Sequence, residues 1–218
     1  YVHVPFCARR CVYCDFSIAV RATVPVHDYV AAVEAEFRER HRDSSLVLKT
    51  LYFGGGTPSK LGADGVRRLM DAIQSHALIL NDAEVTLEAN PEDISIDTVR
   101  AWRVAGINRL SLGVQSFDDA VLKWMHRTHD ADGATRAVSA AREGGISNVS
   151  IDLIFAAPPD LTRSWARDVD TAISLELPHM SVYGLTVEPQ TPFGRWIARH
   201  HVDEAPEEQF EREFLGAH

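Results

Sequence analysis

TLYFGGGTP, residues 50–58, reads as a short strand, Thr50–Phe53, that stops on three glycines too permissive for a strand interior, and a helical pattern follows over 59–77. The same unit recurs along the chain. Strand-like runs lie at Tyr1–Pro5, Glu84–Glu88, Arg109–Leu112, Val149–Ile154 and His179–Tyr183, separated by helical patterns at about 28–41, 95–105, 130–144 and 162–176. Strands separated by helices cannot close as hairpins. They predict parallel pairing, right-handed crossovers and a sheet buried under helices. Six such repeats predict an α/β fold, a partial (β/α)6 barrel, with its chemistry on the loops at the C-terminal ends of the strands.

Those loops are unusual. Cys7 to Cys14 follow the first strand, Gly54-Gly-Gly-Thr-Pro58 the second, Glu88-Ala-Asn-Pro91 the third and Gly113-Val-Gln-Ser116 the fourth, while Asp152 lies near the end of the fifth. Five loops are therefore expected to face one cavity. The helices show their own support: Tyr29, Val30, Val33 and Phe37 form an apolar stripe, and Gly106 and the pair Gly144-Gly145 stand where a left-handed cap costs glycine nothing. Residues 1–186 read as the barrel. Residues 187–218, with Pro189, Pro192 and Pro206, read as an extended connection and the start of an amphipathic helix (Glu207 to Leu215) leading toward a further C-terminal domain. Both ends read as cut.

Composition bounds the function. A chain of 218 residues, 45% apolar and 24% charged, has the profile of one globular domain. Its 22 basic and 31 acidic side chains, a formal charge of -9, argue against a broad grip on nucleic acid or anionic lipid. No apolar run has the length of a membrane helix, and the start of the chain lacks the pattern of a signal peptide, so a cytoplasmic location is expected. All three cysteines, Cys7, Cys11 and Cys14, fall within eight residues, too tight and too odd in number for a disulfide framework. Metal or redox chemistry is the better reading. Three thiolates leave one iron of a cubane cluster open, and an open iron can take a cofactor as its remaining ligand. Three ordinary thiols, or a zinc site completed by a distant histidine, are the competing readings.

Cys7-Ala-Arg-Arg-Cys11-Val-Tyr-Cys14 directly after a strand resembles the CxxxCxxC motif of the radical SAM superfamily. That resemblance implies a [4Fe-4S] cluster on Cys7, Cys11 and Cys14, with S-adenosylmethionine bound through its amino and carboxylate groups to the open iron. Tyr13 matches the aromatic the family carries between the last two cysteines. The stretches LEANPED, NRLSLGVQSFDD, HRTHD and SIDLIFAAP resemble those of the oxygen-independent coproporphyrinogen oxidase family. Through that resemblance Tyr1, Gly55, Gly56, Thr57, Glu88, Gln115, Arg127 and Asp152 are implied contacts of S-adenosylmethionine. Gly54–Gly56 would allow close backbone approach to the ligand, and Arg127 would pair with its carboxylate. Each of these polar residues, taken singly, is more often a solvated or capping group.

The porphyrinogen-decarboxylating members carry a further cysteine two positions after the third. Here that position is Phe16, preceded by Asp15, a pattern similar to the heme chaperones related to that family. The resemblance therefore implies heme as a cargo, client proteins that receive it, and a reductant protein such as flavodoxin or ferredoxin. Coproporphyrinogen oxidation is the alternative, with another radical SAM reaction a third. His126 and His129, three apart beside Arg127, could form a metal face, although packing roles are commoner. His3, His200 and His201 read as packing or solvated residues, and the four tryptophans as core or interface.

Overall fold

The computed structural model describes residues 1–41 and 46–217. In chain order it contains β1 (Val2–Val4), two short strands β2 (Phe6–Cys7) and β3 (Ala19–Val20), α1 (Val26–Arg40), β4 (Leu46–Gly55), α2 (Gly62–Gln74), β5 (Ala77–Ala89), α3 (Ile96–Ala105) and β6 (Arg109–Gln115). It continues with α4 (Asp119–Trp124), α5 (Ala131–Glu143), β7 (Asn148–Phe155), α6 (Trp165–Ser174), β8 (His179–Gly184), α7 (Pro192–Ala198) and α8 (Glu207–Leu215). Six strands form one parallel sheet in the order β1-β4-β5-β6-β7-β8, so each new strand adds beside the last and β1 and β8 are the two edges. This is the partial (β/α)6 arrangement expected from the repeats.

The strands are apolar because helices cover the outside of the sheet. Leu87, Leu110, Leu112, Val149, Ile151 and Leu153 are fully buried, each fully buried aliphatic side chain contributing about 1.5–3 kcal/mol. Helix α2 answers them with Val66, Leu69, Met70 and Ile73, buried at helical spacing. The stripe Tyr29, Val30, Val33 and Phe37 of α1 packs half-buried on the same core. Side-chain caps start the later helices: Ser95 accepts from the Thr98 amide, Asp118 from Ala120 and Val121, Asp130 from Gly133, and Ser164 from Arg167. Gly106 closes α3 at φ 107°, while after α5 it is Gly145, not Gly144, that takes positive φ.

Three elements differ from the sequence reading. Strand β5 begins at Ala77, where the helical pattern was expected to end, and pairs Ala77–Ile79 with Leu46–Leu48 of β4 before a register shift. Helix α4 is only six residues long, too short for a periodicity to show. The segment Glu188–Pro206, expected to run extended, contains α7. Its Pro192 occupies the first turn, where a missing N–H costs nothing, and Thr191 caps it by accepting from the Gly194 amide at 3.0 Å.

Helix α8 docks on the barrel end through a buried carboxylate. Glu213 accepts from the Ala156 amide (2.7 Å) and from Arg163 (3.0 Å), and Trp165 Nε1 donates to its backbone carbonyl (2.7 Å). Among the described residues, no helix is long and apolar enough to cross a membrane.

Candidate functional site

At the C-terminal ends of the strands lies a cavity of about 500 Å³. Its walls include Cys7, Cys11 and Cys14, the Gly55–Thr57 turn, Tyr13, Glu88, Gln115, Arg127 and Asp152, so residues spread over 146 positions meet in one place. Tyr1 does not line it. That ring is exposed at the edge, stacked on Tyr52 at 6.0 Å, with its hydroxyl 3.2 Å from His3 Nδ1.

The cysteine loop is held at both ends. Cys7 ends β2 and pairs with Val20 of β3, the Arg21 amide donates to the Cys7 carbonyl (3.0 Å), and the Cys14 amide closes back on Cys11 (3.3 Å). No cysteine is in a disulfide. Two donors reach the sulfurs: Thr57 Oγ1 to Cys7 Sγ at 3.4 Å and Arg127 Nη1 to Cys11 Sγ at 3.6 Å. Burial pushes the Cys7 and Cys14 thiols up, an effect that Thr57 and the Phe16 amide respectively oppose. Binding to iron would therefore have to displace their protons. Tyr13 is also raised, by burial and then by the neighbouring Cys11, and its ring packs against the cluster formed by Val121, Met125 and Phe193.

The glycine turn works differently from expectation. A Cβ at Gly55 (φ 120°) would stand 2.6 Å from His3 Nδ1, and one at Gly56 would stand 2.9 Å from the Pro5 and Phe6 backbone. These glycines make room first of all for β1 and the chain leading into the cysteine loop. The Gly55 amide is also committed, donating to Glu88 Oε2 at 3.0 Å. The other oxygen of Glu88 accepts from Tyr52 at 2.7 Å. Burial raises this carboxyl, and those two bonds oppose the rise.

Across the sheet, Asp152 is pushed up to about 6 by burial, with the nearby Glu88 charge adding to the rise and the Ser181 and Ser111 hydroxyls opposing it. Two carboxyl groups thus share the cavity wall, both raised by burial. Gln115 ends β6 at φ 71°, a conformation that strains any residue with a Cβ. The strain aims its amide at the same wall as Arg127, whose Nη2 donates to Asn90 Oδ1 (2.7 Å) and the Gly113 carbonyl (2.6 Å). Arg127 Nε is buried without a partner. That leaves Nε and one Nη1 hydrogen of the guanidinium for a ligand.

Sequence reasoning missed Tyr52, Asn90, Gly113, Ser111 and Ser181. Asn90 lies within the LEANPED stretch and Gly113 within NRLSLGVQSFDD, so the segments were flagged but not the residues. Tyr52 looked like strand interior. Gly113 is the informative case: a Cβ there would meet Gln115 Nε2 at 3.0 Å, Arg127 Nη2 at 3.3 Å and Asn90 Oδ1 at 3.4 Å, so its lack of a side chain is what lets three polar groups converge. The histidines separate. His126 lines the cavity, whereas His129 is buried against Glu92 and Val114. Among the described residues no three His, Cys, Asp or Glu side chains are grouped to hold a single metal ion. Cubane ligation asks for something else, one sulfur on each of three irons, and three free thiols on one loop facing the cavity fit that demand.

Comparison with known proteins agrees with this geometry. The family model described as the radical SAM superfamily matches residues 1–169. The chain is 37% identical over 211 residues to the heme chaperone HemW of Bacillus subtilis, covering 96% of this chain and 56% of that protein. It is also 37% identical over 199 residues to HemW of Escherichia coli, covering 89% and 52%. The chain thus spans about half the length of the curated relatives it matches. Among solved structures, the coproporphyrinogen III oxidase HemN of Escherichia coli superposes with a TM-score of 0.87 at 28% identity, over 99% of this chain and 50% of HemN. A cysteine loop after β1, a parallel half-barrel behind it and a family match over most of the length lead to one statement: this chain belongs to the radical SAM superfamily.

Proposed function

We propose that this chain is the radical SAM core of a HemW-like heme chaperone, a protein that binds heme and passes it to client proteins in the cytoplasm. In this reading Cys7, Cys11 and Cys14 hold a [4Fe-4S] cluster. Thr57 and Arg127 steady the sulfurs, and Arg127 offers its remaining N–H groups to the carboxylate of S-adenosylmethionine. The Gly55–Thr57 turn receives the amino group, and Glu88, Gln115 and Asp152 take the ribose hydroxyls, with Tyr13 flanking the ligand and Tyr1 outside the cavity. When bound, the cluster and S-adenosylmethionine supply one-electron cleavage of a carbon–sulfur bond. A flavodoxin- or ferredoxin-type protein would provide the electron.

The observation that carries the chaperone reading is Phe16. It lines the cavity at the position where the decarboxylating members carry a thiol, and it is 61% exposed, so the wall there is apolar rather than nucleophilic or metal-binding. The relatives at 37% identity are named heme chaperones. The second reading, oxidative decarboxylation of coproporphyrinogen III, is favoured by the overlap with HemN at a TM-score of 0.87.

Anaerobic reconstitution separates the two. After cluster loading, the protein is given heme and coproporphyrinogen III separately, with S-adenosylmethionine and a reductant, while absorbance and products are followed. Stable heme binding without decarboxylation supports the chaperone; protoporphyrinogen formation overturns it.

A further inference from the structure

Behind the cavity wall, His129 is 8% exposed and meets oxygen on both sides: Nδ1 is 3.3 Å from Glu92 Oε2, and Nε2 is 3.0 Å from the Val114 carbonyl. Both neighbours are acceptors. A neutral imidazole carries one N–H, so only the doubly protonated ring donates to both. Burial works to raise the Glu92 carboxyl, but the bonds from His129 and Thr128 outweigh it and hold the group at about 2. The carboxylate's other oxygen, Oε1, accepts from Thr128 Oγ1 and, at 3.4 Å, from Asn90 Nδ2.

The residues gathered here surround Arg127 on every side. Asn90 is bonded both to Glu92 and to the Arg127 guanidinium. Thr128 follows Arg127 directly, and His126 precedes it at φ 62°. The end of β6 explains the rest. Its pairing with β7 jumps from Leu112 to Gln115, so Gly113 and Val114 fall outside the ladder. Arg127 takes the Gly113 carbonyl and His129 takes the next one, Val114. Two side chains two residues apart in sequence thus reach two consecutive carbonyls left out of the sheet pairing.

We propose that His129, bridging Glu92 and the Val114 carbonyl, is the positioning residue that fixes the Arg127 guanidinium at the cavity wall and so sets the affinity for the carboxylate end of the ligand. This rests on the reading that the cavity binds S-adenosylmethionine. His129 touches no ligand itself; it acts on Arg127 through Glu92 and Asn90.

Two measurements test it. In the ligand-free protein, nitrogen NMR of the Arg127 guanidinium is expected to change with His129→Leu; an unchanged guanidinium signal overturns the proposal. In the cluster-loaded protein, S-adenosylmethionine affinity is read from the perturbation of the reduced cluster's paramagnetic resonance spectrum. Glu92→Gln, which keeps its shape, and His129→Leu are expected to weaken binding tenfold or more at unchanged cluster content. In an Arg127→Gln background, His129→Leu should cost little further, because the two act as one unit. Lowered Tm with wild-type affinity in both variants would make the pair a packing feature only. A wild-type protein that loads its cluster yet shows no response to S-adenosylmethionine would instead bring down the cavity reading, and this inference with it.

Discussion

Two places in the molecule use glycine, and they use it for different things. At Gly55 and Gly56 the absent side chains leave room for the protein itself, since any Cβ would strike His3 or the Pro5–Phe6 backbone within 2.9 Å. At Gly113 the absent side chain leaves room for the site, since a Cβ would first meet the polar ends of Gln115, Arg127 and Asn90 at 3.0–3.4 Å. The conspicuous run of three glycines is thus chiefly architectural, and the inconspicuous single one shapes the binding wall. At Gly56 the neighbours are backbone and cannot yield, and Gly55 adds a positive φ that no movement of the His3 ring relieves, whereas the side-chain ends at Gly113 can rotate away. The same substitution should therefore have opposite signatures at the two places.

Gly55→Ala is expected to have the largest effect: positive φ plus a clash at 2.6 Å should cost about 3 kcal/mol, a fall in Tm of about 6–12 °C by calorimetry. Gly113→Ala should cost only about 1 kcal/mol, yet weaken S-adenosylmethionine binding about tenfold, equivalent to about 1.4 kcal/mol. Equal stability losses at the two positions would erase the distinction. A third substitution asks how far the binding wall is built against stability. The Asp152 carboxyl holds its proton more tightly in the folded chain, at about 6, than the ordinary carboxylate range of the unfolded one. More protons bound when folded means that this group's contribution to stability falls as pH rises through that interval and is least favourable above about 6. Asp152→Asn should flatten that part of the stability profile and raise Tm at pH 7, while ligand affinity drops; an unchanged profile would remove Asp152 from the strained set. The smallest effect belongs to Tyr52→Phe. Tyr52 adjoins the glycine turn and, through Glu88, the cavity wall: its ring is 2.8 Å from a Cβ at Gly54 and its hydroxyl is bonded to Glu88. Losing one hydrogen bond should cost about 1 kcal/mol in urea denaturation, and Glu88, already raised by burial, should titrate higher still.

The sheet was legible because its signal is local. Each of the six main strands is a run of apolar residues ended by glycine or a polar loop, and their order dictates parallel pairing. What escaped depends on contacts between distant segments. Helix α7 begins on Pro192, which reads as a breaker unless the Thr191 cap beside it is weighed. The cysteines, Arg127 and Gln115 were legible from their motifs, but the register shift that frees the Gly113 and Val114 carbonyls has no signature in the sequence of β6 alone. Nor could the glycine motif reveal its principal neighbour, because His3 lies 52 residues earlier and comes alongside only when β1 pairs with β4.

That pairing has a kinetic consequence. Strand β1 is three residues long, forms one edge of the sheet and has β4 as its strand partner, with Val2, His3 and Val4 opposite Phe53, Gly54 and Gly55. Short edge segments open at a lower free energy than the whole domain. Cys7 stands three residues beyond β1, so a fluctuation that lifts this strand pulls on the loop that carries all three thiols, away from Thr57 and Arg127, without unfolding the barrel. Amides of β1 should then exchange with solvent ahead of those in β6 and β7, and the lifetime of anything held by all three sulfurs would follow the breathing of that edge rather than global unfolding.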